Sequence, residues 1–236
     1  MNAIPTHPLA DSYATVAEAD AYLASRSDAA NYLALTTEQK EAQLKLATMQ
    51  IDSFRFFGNE VFPTNNHYRL KQALKFPRTP AKPVDVTEMP STVHVRVSAL
   101  IDQVQYPDDL WNKGAMVVVE GTGRGNTLYI EDFISNTGIF TISNPNNVVV
   151  DASSDVYLIM PIEPKVKMAT YEQALFNING AMARAQAQGA GVKSYSIGDL
   201  SETFGGNGAS ATSGVLLSPE AKNLLSGLIS RIGRIV

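Results

Sequence analysis

Residues 120–130, EGTGRGNTLYI, place Gly121, Gly123 and Gly125 at an alternating spacing that superficially matches a phosphate-cradling dinucleotide loop. Such a loop needs a strand before it and a helix after it, because the helix N-terminus holds the pyrophosphate. Here the alternating run Thr-Leu-Tyr-Ile follows, so the glycines predict a β-hairpin or loop and no cofactor site. His7, His67 and His94 are isolated, with no carboxylate near them at ligand spacing, which predicts surface histidines and no metal site. Asp108 and Asp109 in YPDDLW read as turn acids. Without G-x-S-x-G, a P-loop lysine or H-E-x-x-H, no catalytic residue is assigned and the expectation is a protein that is not an enzyme.

A different chemistry is written between residues 54 and 82. Arg55, Arg69, Lys71, Lys75, Arg78 and Lys82 stand there against the lone acid Glu60, interleaved with Phe56, Phe57, Phe62, Tyr68 and Phe76. A basic groove with aromatic stacking platforms is how proteins hold single-stranded nucleic acid. The competing reading makes the aromatics core and the bases, with Arg69, Lys71, Lys75 and Arg78 foremost, a solvated or protein-facing rim. The whole-chain balance favours the rim: formal net charge is −4 and the sequence pI is near 5.4, whereas non-specific grip on phosphates rests on surplus Lys and Arg.

The elements that must position these residues divide the chain. Thr15 with Glu18, and Thr36 with Gln39, have capping-box spacing and predict two helices. The second should run to about Phe54, with Leu44, Ala47, Ile51 and Phe54 on one face, ahead of an irregular stretch to residue 90 punctuated by Pro63, Pro77, Pro80, Pro83 and Pro90. From residue 91 the texture is that of short strands: STVHVRVSA, AMVVVEG, NTLYIEDF, GIFTIS, NVVVD and DVYLIM. Pro164 opens a helix closed by Gly189, with Val166, Ala169, Ala174, Ile178 and Met182 on one face. After it, Tyr195, Ile197, Leu200 and Phe204 read as one strand bulged at Gly198, then a tract rich in Gly and Ser. A last helix follows, N-capped by Ser218, opened by Pro219 and striped by Ala221, Leu224, Leu225, Leu228 and Ile232.

The expected fold class is α+β: a small helical bundle built from residues 1–90 and 161–236, an antiparallel β barrel or sandwich inserted at 91–160, and a C-terminal strand plus helix. With no Cys, no basic-then-apolar N-terminal run and no long apolar span, a soluble protein made in the cytoplasm is expected.

The ordered set YATVAEADAYLASR, KEAQLKLATMQIDSFRFFG, QALKFPR, VKMATYEQAL, KSYSIGDLSETF and LLSPEAKNLLSGLI resembles head–tail connectors, or neck adaptors, of tailed bacteriophages, from the group labelled DnaT-like single-stranded-DNA-binding proteins. The resemblance covers about residues 13–90 and 161–230. It departs at the β block, which lies where such proteins pass quickly from the Phe76-Pro77-Arg78 segment to the next helix.

The resemblance implies a structural virion protein at the head–tail interface: a ring of twelve copies beneath the portal, prolonging the DNA channel. Its partners would be the portal protein, neighbouring copies of itself and the next neck or tail protein, with DNA only passing through and no membrane. The C-terminal arm, Gly205 to Gly214 and beyond, is then expected to reach a neighbour or the portal. Leu224, Leu228, Ile229 and Ile232 would pack there, and Arg231 and Arg234 would pair with its carboxylates. The alternative for Leu224 and Leu228 is that they close the chain's own bundle. The insert is expected on the outside of the ring, with Trp111 either a partner contact or a buried anchor.

Overall fold

The computed structural model describes residues 1–62, 71–179, 194–197, 200–203 and 217–229, the two short strands among these by backbone only. The chain divides into two compact units: residues 1–13 with 56–164, and residues 14–55 with 165–236.

The first unit is built on one seven-stranded antiparallel sheet. Its strands are β1 (Lys82–Asp85), β2 (Glu88–Ser91), β3 (His94–Arg96), β4 (Ala115–Glu120), β5 (Thr127–Ile134), β6 (Ile139–Ser143) and β7 (Asp155–Ile159), in the order β1-β7-β4-β5-β6-β3-β2. β1 and β2 lie at opposite ends of that order, yet only Val86 and Thr87 separate them. Seven strands laid flat would hold their outer members roughly 28 Å apart. Three residue steps span at most roughly 11 Å. The sheet therefore curls until its two ends are successive parts of one bent strand, with the Val86 N–H donating to the Ser154 carbonyl and the Thr87 N–H to the Arg96 carbonyl. One curled sheet replaces the sandwich alternative.

Val84, Val95, Met116, Ile130, Phe140 and Val156 face the inside of the curl, around Trp111, which is 3 % exposed. Its indole meets Phe133 edge-on at 4.9 Å between centroids and is flanked by Phe140 and Tyr106. Trp111 is thus the buried anchor rather than a surface contact. β4 is buried on both sides: Met116 and Val118 enter this core, while Ala115, Val117 and Val119 pack against Phe62, Ile159 and the N-terminal Ile4.

The β unit begins before residue 91. Pro83 and Pro90, read as breakers, sit inside β1 and β2, and both strands have a neighbour on one side only, where a missing N–H is tolerated. The expected strand over NVVVD does not form. Asn144 donates to the Val148 carbonyl and accepts from its N–H, and the Asp151 N–H donates to Ser154, so local side-chain bonds hold the run as a loop. That loop lies against the β4–β5 turn, where a Cβ on Gly121 (φ +75°) would fall 1.9 Å from the Ser153 carbonyl oxygen.

The second unit holds α1 (Val16–Leu23), the short α2 (Ala30–Leu33), α3 (Thr37–Asp52), α4 (Pro164–Ile178, entering from the end of the β unit), the strands β8 (Ser194–Ile197) and β9 (Leu200–Thr203), and α5 (Pro219–Leu225). Both capping boxes form, Thr15 with Glu18 and Thr36 with Gln39. Leu44, Ala47 and Ile51 are buried as one face, but α3 stops at Asp52, so Phe54 lies past its end and is only half-buried. The core joins Ala19, Leu23, Tyr32, Leu44, Tyr171 and Leu175. β8 and β9 pair antiparallel with Ile197 opposite Leu200, so a chain reversal replaces the bulged single strand. Gly198, Phe204, the 205–214 tract, Met182 and Gly189 lie outside the described residues.

Replacing Trp111 by Ala is expected to cost the β unit about 3–5 kcal/mol, as for other large core aromatics. Urea unfolding followed by circular dichroism checks this, and the wild-type emission, from the one tryptophan in the chain, should lie at the blue end of the indole range.

Candidate functional site

The basic and aromatic stretch is knitted into the fold by its own central arginine. The Arg78 guanidinium donates to the carbonyls of Phe57 (2.7 Å), Phe56 (3.4 Å), Lys75 (3.4 Å) and Gly58. Its five-donor fork suits a turn of converging carbonyls, which a point-charge ammonium cannot span. Gln72 adds a second tie, donating to the Pro77 carbonyl at 3.0 Å and accepting from the Phe62 N–H. The Arg78 N–H also supports the Glu163 carboxylate, although burial outweighs that bond and pushes Glu163 above its ordinary value.

The aromatics are mostly spent. Phe56, Phe62 and Phe76 are buried, Phe76 edge-on to both Phe56 and Tyr13 at 4.7 and 5.8 Å, and Phe62 stacked on Tyr157 at 6.0 Å. The Phe76–Pro77 peptide is cis. Phe57, 60 % exposed, is the one ring of this group open to solvent among the described residues; Tyr68, Arg69 and His67 lie outside them. Arg55 and Lys71 are exposed, Lys75 is half-buried, and the Lys82 ammonium sits 4.9 Å over the Tyr106 ring. The structure thus brings Lys75 and Arg78 to one turn and leaves Lys71 on the surface, without a row of exposed rings between them.

The C-terminal candidates are placed by a cap and an amide cluster. The Ser218 hydroxyl accepts from the Ala221 N–H at 2.9 Å and Pro219 opens α5, as the sequence predicts. The Ser218 N–H donates to the fully buried Gln173 at 2.7 Å; Gln173 and Asn177 in turn both donate to Gln50 on α3. Sequence reading missed these three amides, because nothing local marks a polar residue on a helix as an inward one. Ala221 and Leu225 are fully buried, while Leu224, Leu228 and Ile229 are half-buried. The helix ends at Leu225, whose carbonyl accepts from the N–H groups of Leu228 and Ile229, with Ser226 and Gly227 following. Arg231, Ile232 and Arg234 lie outside the described residues.

Charges fix the helical unit with equal care. Glu172, nearly buried on α4, accepts from Tyr22 at 2.8 Å and pairs with Arg26, which also binds Asp28 at 2.7 Å. Lys167 reaches Glu18 at 2.7 Å and Lys40 reaches Asp20 at 3.0 Å. Burial alone would raise the Glu18 carboxyl, but the Lys167 ammonium and the Thr15 cap outweigh it and leave it below 4.5.

The remaining motifs resolve into local structure. Gly121, Gly123 and Gly125 form the β4–β5 turn, each at positive φ. The His94 ring bonds Ser91 at 2.7 Å, and the His7 ring meets the Asn2 amide and the Leu9 N–H at 3.0 Å. Asp108 accepts from the Ser135 N–H and Asp109 from the Asn112 amide, which makes them turn acids.

The family model described as "Putative DnaT-like ssDNA binding protein" matches residues 5–105. A chain of the solved structure titled "Virion of native gene transfer agent (GTA) particle" is similar to this one at 14% sequence identity and a TM-score of 0.33. The match covers 67% of this chain and 52% of that chain, so it spans about half of the latter's length. No curated protein matches. No helix among the described residues is long and apolar enough to cross a membrane.

Arg78→Ala should destabilise the β unit by about 1–3 kcal/mol, the cost of leaving part-buried carbonyls unpartnered, and Arg78→Lys should not recover it. Tryptophan-monitored urea unfolding reads both. For the helical unit, a depressed carboxyl contributes stability above 4.5 that is lost as pH falls through the folded value. Acid titration of the melting temperature should therefore show a smaller drop below pH 4.5 in Glu18→Gln than in wild type.

Proposed function

We propose that the chain is a structural virion protein, a head-to-tail adaptor that forms a ring under the portal, extends the DNA channel and joins the portal to the next neck or tail component. It has no catalytic role in this reading. The observation that carries it is the gathering of the helical segments. Residues 14–55 and 165–236, which bear most of the adaptor resemblance and are separated by the whole β block, form one unit. That unit is cross-linked by Lys167–Glu18, Arg26–Glu172 and the Gln50–Gln173–Asn177 amides. An insertion that leaves its host unit intact suits an adaptor that has acquired an outer module.

The state of the basic stretch supports the same reading. Three of its rings are core and its central arginine is committed to four carbonyls, so among the described residues no row of stacking platforms is offered to a passing strand. A net charge of −4 suits a wall past which DNA must slide. The half-buried Leu224, Leu228 and Ile229 give α5 apolar surface to place against a neighbour or the portal, with Arg231, Ile232 and Arg234 continuing the contact in this proposal.

Cryo-electron microscopy of tailed particles assembled with this chain tests the proposal. Tracing it as a ring between portal and tail is the expected result; a complete neck with no density for it would overturn the reading.

The second reading, a single-stranded-DNA-binding replication accessory protein, is favoured by the wording of the matched family model and by the exposed Phe57 and Lys71. Fluorescence anisotropy with oligo-dT should show no salt-sensitive binding. Affinity that falls steeply between 50 and 200 mM salt, and is lost in Arg69→Ala/Lys71→Ala/Lys75→Ala, would put this reading first. Arg78 stays in place in that variant because its removal loosens the fold.

A further inference from the structure

One end of the curled sheet carries aliphatic side chains that stay exposed among the described residues. Ile101, Val104 and Ile134 are 43 %, 96 % and 41 % exposed. They are held there deliberately by the local hydrogen bonding. Asp102 accepts from the N–H groups of Val104 and Gln105 at 3.0 and 3.1 Å, a turn that presents Val104 at its tip. The Val97 N–H donates to the Gly138 carbonyl, and a Cβ on Gly138 would stand 3.1 Å from Ile101, so the Ile101 side chain rests on the β5–β6 turn that follows Ile134. Asp108 accepts from the Ser135 N–H at 2.7 Å, and the Asn112 amide bridges Asp109 and Asp132, which ties the 98–113 segment across the same turn. Asp102, Asp108, Asp109 and Glu131 are exposed around these aliphatics, against the single exposed base Lys113.

The complementary chemistry lies elsewhere in the same unit. Phe57, 60 % exposed, stands beside the Arg78 guanidinium that clamps its carbonyl, and Lys71 is exposed in the same stretch, whose sequence over 56–82 holds one acid against five bases. One surface is aliphatic with an acidic rim; the other is aromatic with basic neighbours.

We propose that these two surfaces bind each other between copies of this chain: the Ile101–Val104–Ile134 end of one β unit receives the Phe57–Lys71 surface of the next. Different patches meeting head to tail make a heterologous contact, which closes into a ring when its rotation permits. The closure into a ring rests on the adaptor reading; the pairing of the two patches rests on their composition and exposure. Apolar centres supply the attraction and the opposed rims set register and encounter rate.

Two variants of the full chain separate the patches without touching any fold hydrogen bond named above: Phe57→Glu/Lys71→Glu, and Val104→Lys/Glu131→Lys. Sedimentation velocity over rising concentration should show wild type associating, with an association constant that falls at least tenfold between 50 and 500 mM salt. Each variant alone should remain monomeric, since its two surfaces now carry like charge. An equimolar mixture should associate again, because the acidified surface of one meets the basified surface of the other. Wild type that stays monomeric throughout, variants that associate as wild type does, or a mixture that fails to recover would each overturn the pairing. Such a failure leaves the neck density test standing, so a ring seen there would simply be built on other faces.

Discussion

The β unit is governed by a single covalent constraint: Val86 and Thr87 must connect strands at opposite ends of a seven-stranded sheet. No flat sheet satisfies it. The strands have to curl, and the curl creates an inside, into which Val84 and Val95 project from the two ends and Trp111 from the 98–114 connection. The antiparallel order makes β1 and β2 run the same way, as two halves of one bent strand must. Edge prolines then stop being anomalies. A strand that changes partner midway has a vacant side in each half, and Pro83 and Pro90 occupy those halves, where the ladder asks for no N–H. The turn glycines follow too, because a sheet rolled this far brings the β4–β5 turn against the 148–154 loop closely enough that Gly121 has no room for a Cβ.

The helical unit is held by a different kind of force. Two of the helices that close it are short, α1 and α5 having 8 and 7 residues, and helices of that length are marginal alone. Their apolar contributions are small: α1 buries Ala19 and Leu23, and α5 buries Ala221 and Leu225. Polar ties do the positioning. Glu172 sits nearly buried between a tyrosine hydroxyl and a guanidinium, and removing the Arg26 guanidinium would leave a buried carboxylate without its counter-charge, a loss far larger than the net worth of the pair. Gln173 plays the same part for α5, accepting the cap N–H of Ser218 while donating to Gln50. A small apolar contact with a demanding polar register gives a helix one seat rather than many.

What the sequence made legible was local. Both capping boxes, the Ser218-Pro219 start and the strands over Ala115–Glu120, Thr127–Ile134, Ile139–Ser143 and Asp155–Ile159 depend on residues within a few positions of each other, and all appear. What escaped depended on distant partners. Pro83 and Pro90 break a strand or edge it according to whether a neighbour lies on both sides, which periodicity cannot report. NVVVD has the composition of a strand, yet Asn144 and Ser154 claim its backbone first. The glycine run was readable as a turn, because the alternation after it excludes a helix, whereas the Val-rich loop it packs against was not. For the candidate site, the bases and rings of 54–82 were visible as a list, but their fate was set by Arg78 reaching back twenty residues to a row of carbonyls. A basic residue near aromatics reads identically whether it serves a phosphate or its own backbone.

That distinction bears on the charge the protein presents to a polyanion. Residues 83–160 hold ten acidic side chains against three basic ones, a balance more negative than that of the whole chain. Some of it is placed against local preference: Asp85 stands directly opposite Asp155, and Glu120 is also in register with Asp155, although like charges across a ladder cost about 0.2–1 kcal/mol a pair. A stretch with that balance disfavours a polyanion, most strongly at low salt, where a nucleic-acid-binding surface would attract most. Of the neighbouring bases, Arg78 is committed to carbonyls and Lys82 lies over the Tyr106 ring, while Lys71 stays exposed. Electrostatics and packing therefore agree that residues 83–160 offer a polyanion little to grip.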